Sequence, residues 1–294
     1  MLWIVFTILA VILWSIGNIL DKYVLDKWVK EPFLPVSVLV SLGLISSIII
    51  LITLGYGSLS TLNILLVILS GGFYIVEMYY YFKAARIEEI SRIVPLFYLS
   101  NFLIAIFAAI FLGEILSITS YTGIVILVIG AVLISVKKLE KPQLDKSSVY
   151  MVLSATFMAA NMLITKFVLN YTDFWTVFAW SRIGTFIFFV PIAYFNRKRL
   201  IQAIKKTKNV AYGLVSINEV INLSGLIFIT IASSIGLVTV VTGLSTIQPL
   251  FVSIFAIILS IFFPKIIKEE INRNIIVQKL IAIILIIVGS VLLI

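Results

Sequence analysis

The chain has 294 residues, 62% of them hydrophobic and 12% charged, with a mean hydropathy of +1.21 and a net charge of +9. A water-soluble domain needs more charged surface than this, and the charges cluster between long apolar runs. The basic excess therefore reads as the loop bias of a membrane protein, and no nucleic-acid partner is expected. With neither cysteine nor histidine in the chain, disulfides, thiolate or imidazole metal sites, and Cys–His or Ser–His catalysis are excluded as well.

A helix rises 1.5 Å per residue, so about 20 apolar residues cross a hydrocarbon core of about 30 Å. In chain order, ten segments qualify: residues 2–20, 33–54, 62–82, 93–112, 118–136, 148–169, 174–195, 210–232, 236–263 and 275–294. The first lacks a basic leading region and a small-residue cleavage site, and is expected to be a span rather than a signal peptide. Short links, such as Leu112 to Ile118 and Leu169 to Phe174, force antiparallel neighbours. The longest polar links, 137–147 and 196–209, leave no room for a soluble domain. Runs such as Ile275 to Ile294 are continuously apolar, where a transmembrane β-barrel would alternate. The expected fold is all-α, with ten transmembrane helices in a multi-pass protein of the cell membrane, embedded in the lipid bilayer.

The chain also looks duplicated. Lys22-Tyr-Val-Leu-Asp26 is matched 144 residues later by Lys166-Phe-Val-Leu-Asn170. Asn101-Phe-Leu103 meets Pro249-Leu-Phe251 at a spacing of 148, and Gly130-Ala-Val-Leu-Ile resembles Gly289-Ser-Val-Leu-Leu. Two repeats of five spans, 1–146 and 147–294, are expected. Five is odd, so the second copy enters the membrane from the opposite side, an architecture recurrent in transporters. Of the 22 Lys and Arg residues, 20 fall in or beside alternate links, all on one face. The positive-inside rule puts that face in the cytoplasm and both termini outside.

The segment Ser91 to Glu114, SRIVPLFYLSNFLIAIFAAIFLGE, continues into the glycine-containing TGIVILVIGAVLIS. With Leu112-Gly113-Glu114, Gly123, Gly130, and the early Trp14-Ser15 followed by Asn18, it resembles the repeat of the EamA family in the drug/metabolite transporter superfamily. There are departures. Asn101 stands where that family usually has proline, although Pro249 keeps it in the second half. Phe262-Phe263-Pro264 replaces the Leu-Gly-Glu signature there, and Lys265 to Lys279 reads as an insertion. The family's termini usually face inward, against the charge bias here. The resemblance implies a secondary-active permease or exporter of a metabolite or amino acid, working by alternating access and without a cofactor. A drug, cation or lipid-linked sugar carrier of the same superfamily is the alternative. A membrane-embedded enzyme or a sensor is a remote one. No G-x-x-x-x-G-K-[ST] sequence is present, so the chain has no ATP-binding motif of that kind.

Three charges, Glu77, Arg182 and Glu219, fall within spans. Charge in hydrocarbon is costly and usually marks a substrate or proton path. Glu77 stands about 7.5 Å from the expected end of its span, shallow enough for an interfacial carboxylate near Lys83 or Arg86. Alternatively, it forms one aromatic and acidic face with Tyr74 and Tyr81 by helical spacing, a face suited to a cationic or zwitterionic ligand. Arg182 and Glu219 lie deeper at nearly equal depth and could pair, either as a structural bridge or lining a cavity. Asn218, Asn222, Gln248 and Asn101 fall at similar depth, as ligand contacts or as helix–helix links. These nine residues are the expected substrate site, with Arg182 holding a substrate carboxylate, Glu219 an ammonium or a coupling proton, and no metal. Glu114 is expected to cap a helix or sit in an interface. A homodimer is also allowed.

Overall fold

A computed structural model describes residues 2–29, 31, 33–55, 57–88, 90–135, 146–262 and 273–293. Among these residues all regular structure is helical: α1 (Leu2–Lys27), α2 (Phe33–Thr53), α3 (Thr61–Ile87), α4 (Ile90–Phe97), α5 (Ser100–Phe111), α6 (Ile118–Ser135), α7 (Lys146–Leu169), α8 (Phe174–Phe195), α9 (Arg197–Lys206), α10 (Asn209–Ile235), α11 (Val238–Ser245), α12 (Gln248–Phe262) and α13 (Arg273–Leu293). Seven stretches are long and apolar enough to cross a membrane: α1, α2, α3, α7, α8, α10, and Val238–Ser260 across α11 and α12. Ser100–Phe111, Ile118–Gly130 and Leu280–Leu293 are shorter apolar helices. Most of the insertion expected at Lys265 to Lys279, and the link 137–147 up to residue 145, lie outside the described residues.

The helices depart from the apolar runs in three ways. First, α1 continues to Lys27 and α3 to Ile87, because hydropathy marks the hydrocarbon and not the helix. Polar residues at the end of α1 stay helical with their side chains bonded, as in the Lys22–Asp26 ion pair at 3.0 Å. Second, the expected spans 93–112 and 236–263 are each broken. At the first break, Leu99, Asn101 and Phe102 donate their amides to carbonyls three residues back, and Thr246, Ile247 and Leu250 do the same at the second. Each break is one tight 3₁₀-type turn. In the second it coincides with Pro249, which has no amide hydrogen to give. Third, the polar link 196–209 holds a helix of its own, α9.

The helices pack in crosswise pairs: α6 on α13, α3 on α7, α1 on α10 and α2 on α8, with α1 also on α12 and α5 on α7. Close approach is set by small residues. A Cβ on Gly71 of α3 would lie 2.1 Å from the Ser181 carbonyl of α8, and one on Gly184 of α8 would lie 2.3 Å from the Ile68 carbonyl of α3. Two lysines close helix ends. Lys22 donates to the carbonyls of Ala85 and Glu88 at the end of α3 (3.3 and 3.2 Å). Lys166 donates to those of Ser233 and Gly236 at the end of α10 (both 2.7 Å). A cation there satisfies orphan carbonyls and complements the helix dipole. Glu114 is a helix cap, accepting the amides of Val238 (2.9 Å) and Thr239 (3.0 Å) at the start of α11.

Candidate functional site

The crossing helices enclose a central cavity of about 90 Å³. One wall is α1, which brings Trp14, Asn18 and Asp21. Their spacing of four and then three residues puts them on one helical face. A second wall is α3, with Tyr74, Glu77, Met78 and Tyr81. Facing these are Met158, Asn161 and Met162 of α7, Asn222 of α10 and Gln248 at the second break.

Polar groups tie the walls together. The Tyr81 hydroxyl lies 2.9 Å from Asn18 Oδ1 and 3.2 Å from Asp21 Oδ2. Asn218 of α10 donates to the other oxygen of Asp21 at 2.6 Å. Trp14 donates its indole N–H to the Asn222 carbonyl at 3.2 Å, and Ser154 of α7 donates to the Glu77 carbonyl at 2.9 Å. The two breaks meet beside the cavity. Tyr98 donates to Gln248 Oε1, and Asn101 donates to the Thr242 carbonyl at 3.0 Å and the Thr246 hydroxyl at 2.5 Å. Each bond satisfies a polar atom that apolar surroundings would otherwise penalise.

Of the nine expected site residues, Tyr74, Glu77, Tyr81, Asn222 and Gln248 line the cavity. Asn218 is buried and holds the wall residue Asp21, and Asn101 is buried and bonds Thr242 and Thr246 at the second break. Arg182 and Glu219 are buried, at 2% and 1% exposure, but are off the wall.

Three expectations need correction. Arg182 and Glu219 do not pair: two guanidinium nitrogens, Nε and Nη1, and both carboxylate oxygens have no hydrogen-bond partner. Equal depth fixes height in the membrane and says nothing about which way a side chain turns. Arg182 turns toward α3 and stacks its guanidinium 4.2 Å from the centre of the Tyr74 ring, a desolvated cation–π contact worth about 2 kcal/mol. Glu219 turns toward Asp21 and Asn222. Next, Glu77 is no interfacial carboxylate. It is 4% exposed and lines the cavity, turned inward and away from an interface beside Lys83 or Arg86. Last, Asp21 is not a loop charge. It is a wall residue that ending the first span at residue 20 hides. The Trp14, Asn18, Asp21 spacing was the signal for it. Asn161 carried no comparable signal, since a lone amide in an apolar helix is as often a packing contact.

Comparison with known proteins bears on what this arrangement belongs to. Residues 1–136 match the EamA-like transporter family. An uncharacterized transporter in the cobO 3' region of Sinorhizobium sp is 38% identical over 56 residues. That match covers 19% of this chain and 40% of the relative, so it spans less than half of the relative's length. A solved crystal structure superposes with a TM-score of 0.68 at 15% identity, over 98% of this chain and 94% of the other. This is a likeness of fold alone. The first 136 residues are thus similar to the EamA-like transporter family, and the chain is a multi-pass membrane protein.

Proposed function

We propose that the chain is a secondary-active transporter that moves a small polar metabolite through the central cavity by alternating access. It does so as two inverted five-helix repeats, 1–146 and 147–294, that together cross the membrane ten times. The observation that carries the reading is the cavity itself, where carboxylates, amides and aromatic rings converge inside an otherwise apolar bundle. A ligand leaving water needs such replacements for its hydration shell.

The packing supports the repeat. Exchanging α1 with α7, α3 with α10, and the broken pair α4–α5 with α11–α12 carries the contact of α3 on α7 onto that of α10 on α1. It also carries α1 on α12 onto α7 on α5. The shorter apolar helices α5, α6 and α13 complete ten crossings, α5 together with α4.

In this reading Tyr74, Glu77, Tyr81, Asn222, Gln248 and Asp21 meet the substrate, while Asn101 and Asn218 hold the wall. Arg182 braces Tyr74 from behind. Glu219, buried with both oxygens free of hydrogen bonds, carries the coupling proton.

Purified protein in proteoliposomes, loaded with labelled amino acids, amines, organic acids and nucleotides, should give saturable counterflow for one class. Glu219→Gln should keep that exchange and lose its acceleration by a pH gradient. Folded protein without counterflow across the whole panel would overturn the transport reading. An unchanged pH response in the variant would overturn the role of Glu219.

A further inference from the structure

Glu77 Oε2 has no hydrogen-bond partner although the residue is 4% exposed and lines the cavity. The other wall carboxylate is satisfied, since Asp21 accepts from Tyr81 and from Asn218. The wall therefore carries two acids, one of them with a vacant acceptor, and no cation. Arg182, the guanidinium buried in the spans, stacks on Tyr74 and does not reach the cavity.

On the transport reading just given, we propose that the cavity takes a ligand bearing a primary ammonium, whose N–H donates to Glu77 Oε2. A carboxylate oxygen bare of donors is costly at this depth, and a charged donor removes that cost better than a neutral one. The rest of the wall fits a cation. Trp14, Tyr81 and Phe97 bring aromatic rings to the wall, and Met158 and Met162 bring polarisable thioethers. Side-chain carbonyls of Asn161 and Asn222 add neutral acceptors.

An anionic ligand fares worse on each count. It would bring a further negative charge to Asp21 and Glu77. The indole N–H of Trp14 is already given to Asn222, and the Tyr81 hydroxyl already lies against Asn18 and Asp21. A zwitterion falls between the two. The groups acting on Glu77 are Asn161 on α7, Arg182 on α8 and Tyr74 on α3 itself, while Asp21 of α1 shares the cavity wall. Of these Arg182 is the cation, and it is held on the Tyr74 ring. Size points the same way: at about 10–15 Å³ per water the cavity holds about six to nine waters, the room of a small amine and not of a nucleotide.

The test is calorimetric binding to the full chain in lipid nanodiscs, with empty discs subtracted, using three ligands that share a four-carbon chain: n-butylamine, 2-aminobutyrate and butyrate. Butylamine should bind about tenfold or more tightly than 2-aminobutyrate, and butyrate should show no saturable binding. Glu77→Gln should weaken butylamine by about 30-fold or more, the usual cost of removing one partner from a buried charge pair. If that variant does not fold, the order of the three ligands on the unaltered protein decides alone. Butyrate or 2-aminobutyrate binding as tightly as butylamine would overturn the charge assignment and leave transport standing. Tight butylamine binding without amine counterflow would support the charge assignment and count against transport.

Discussion

Lys22 reaches from α1 to the last carbonyls of α3, and Lys166 reaches from α7 to the last carbonyls of α10. The lysines are 144 residues apart and their carbonyl partners 148 apart. Carried along α3 and α10, the 148 spacing pairs Tyr74 with Asn222, and both line the cavity. The same spacing pairs Glu77 with Gly225, where a Cβ would lie 2.6 Å from the Trp14 indole nitrogen. It pairs Glu219 with Gly71, the point of closest approach between α3 and α8. Asp21 meets Thr165 at the 144 spacing. On the proposed repeat, the two halves share a frame and fill it differently. The first half places both wall carboxylates in the cavity, whereas the second answers with amides, thioethers and a glycine. On the proposed function, single exchanges of this kind give a site of one charge from a symmetric frame.

The largest expected effect separates two glycines, one from each half. Gly71→Ala drives a methyl into the Ser181 carbonyl at 2.1 Å and the Thr185 amide at 2.6 Å, so it should destabilise by about 1–3 kcal/mol or more. Gly213 of α10 has nothing within 4 Å of a built Cβ, and Gly213→Ala should be neutral or stabilising by up to about 1 kcal/mol. Thermal unfolding in detergent measures both. Equal effects would mean that the tight α3–α8 contact sets no limit on stability.

A smaller effect tests the shared frame. Lys22→Met and Lys166→Met should each cost about 1–2 kcal/mol, since each removes charged hydrogen bonds to two terminal carbonyls. The two losses should agree to within about 0.5 kcal/mol, the scatter of independent sites. A loss at one lysine alone would break the equivalence of the two ends.

The least energetic test compares the two ends of the molecule. Among the described residues, basic side chains crowd the end that carries α9, with Arg197, Lys198 and Arg199 at its start, while Lys166 stands at the other. A cysteine introduced beside Arg199 should react with an impermeant maleimide only after cells are opened, as the positive-inside rule requires. Labelling in intact cells would reverse the assigned orientation.

The face of Tyr74, Glu77 and Tyr81 was legible because helical period is a local property of the chain, and the same holds for Asn218 and Asn222 one turn apart. Their partners were not legible. Asn218 bonds Asp21, 197 residues away in sequence, and Arg182 finds the Tyr74 ring where equal depth suggested Glu219. The break near Pro249 had a signal in the missing amide hydrogen, but its counterpart near Asn101 had none, and the two meet through Asn101 and Thr246.

By itself the sequence determined that this is a multi-pass helical membrane protein, and which polar residues share a helical face. Hydrocarbon offers backbone groups no hydrogen bonds, so every apolar run must close its own as a helix. Only the tertiary structure decided which polar side chains face one another and which oxygen is left bare. The rotation of each helix about its axis is set by where glycines such as Gly71 and Gly184 let neighbours approach. That is a property of pairs of helices distant in the chain, which no single segment encodes.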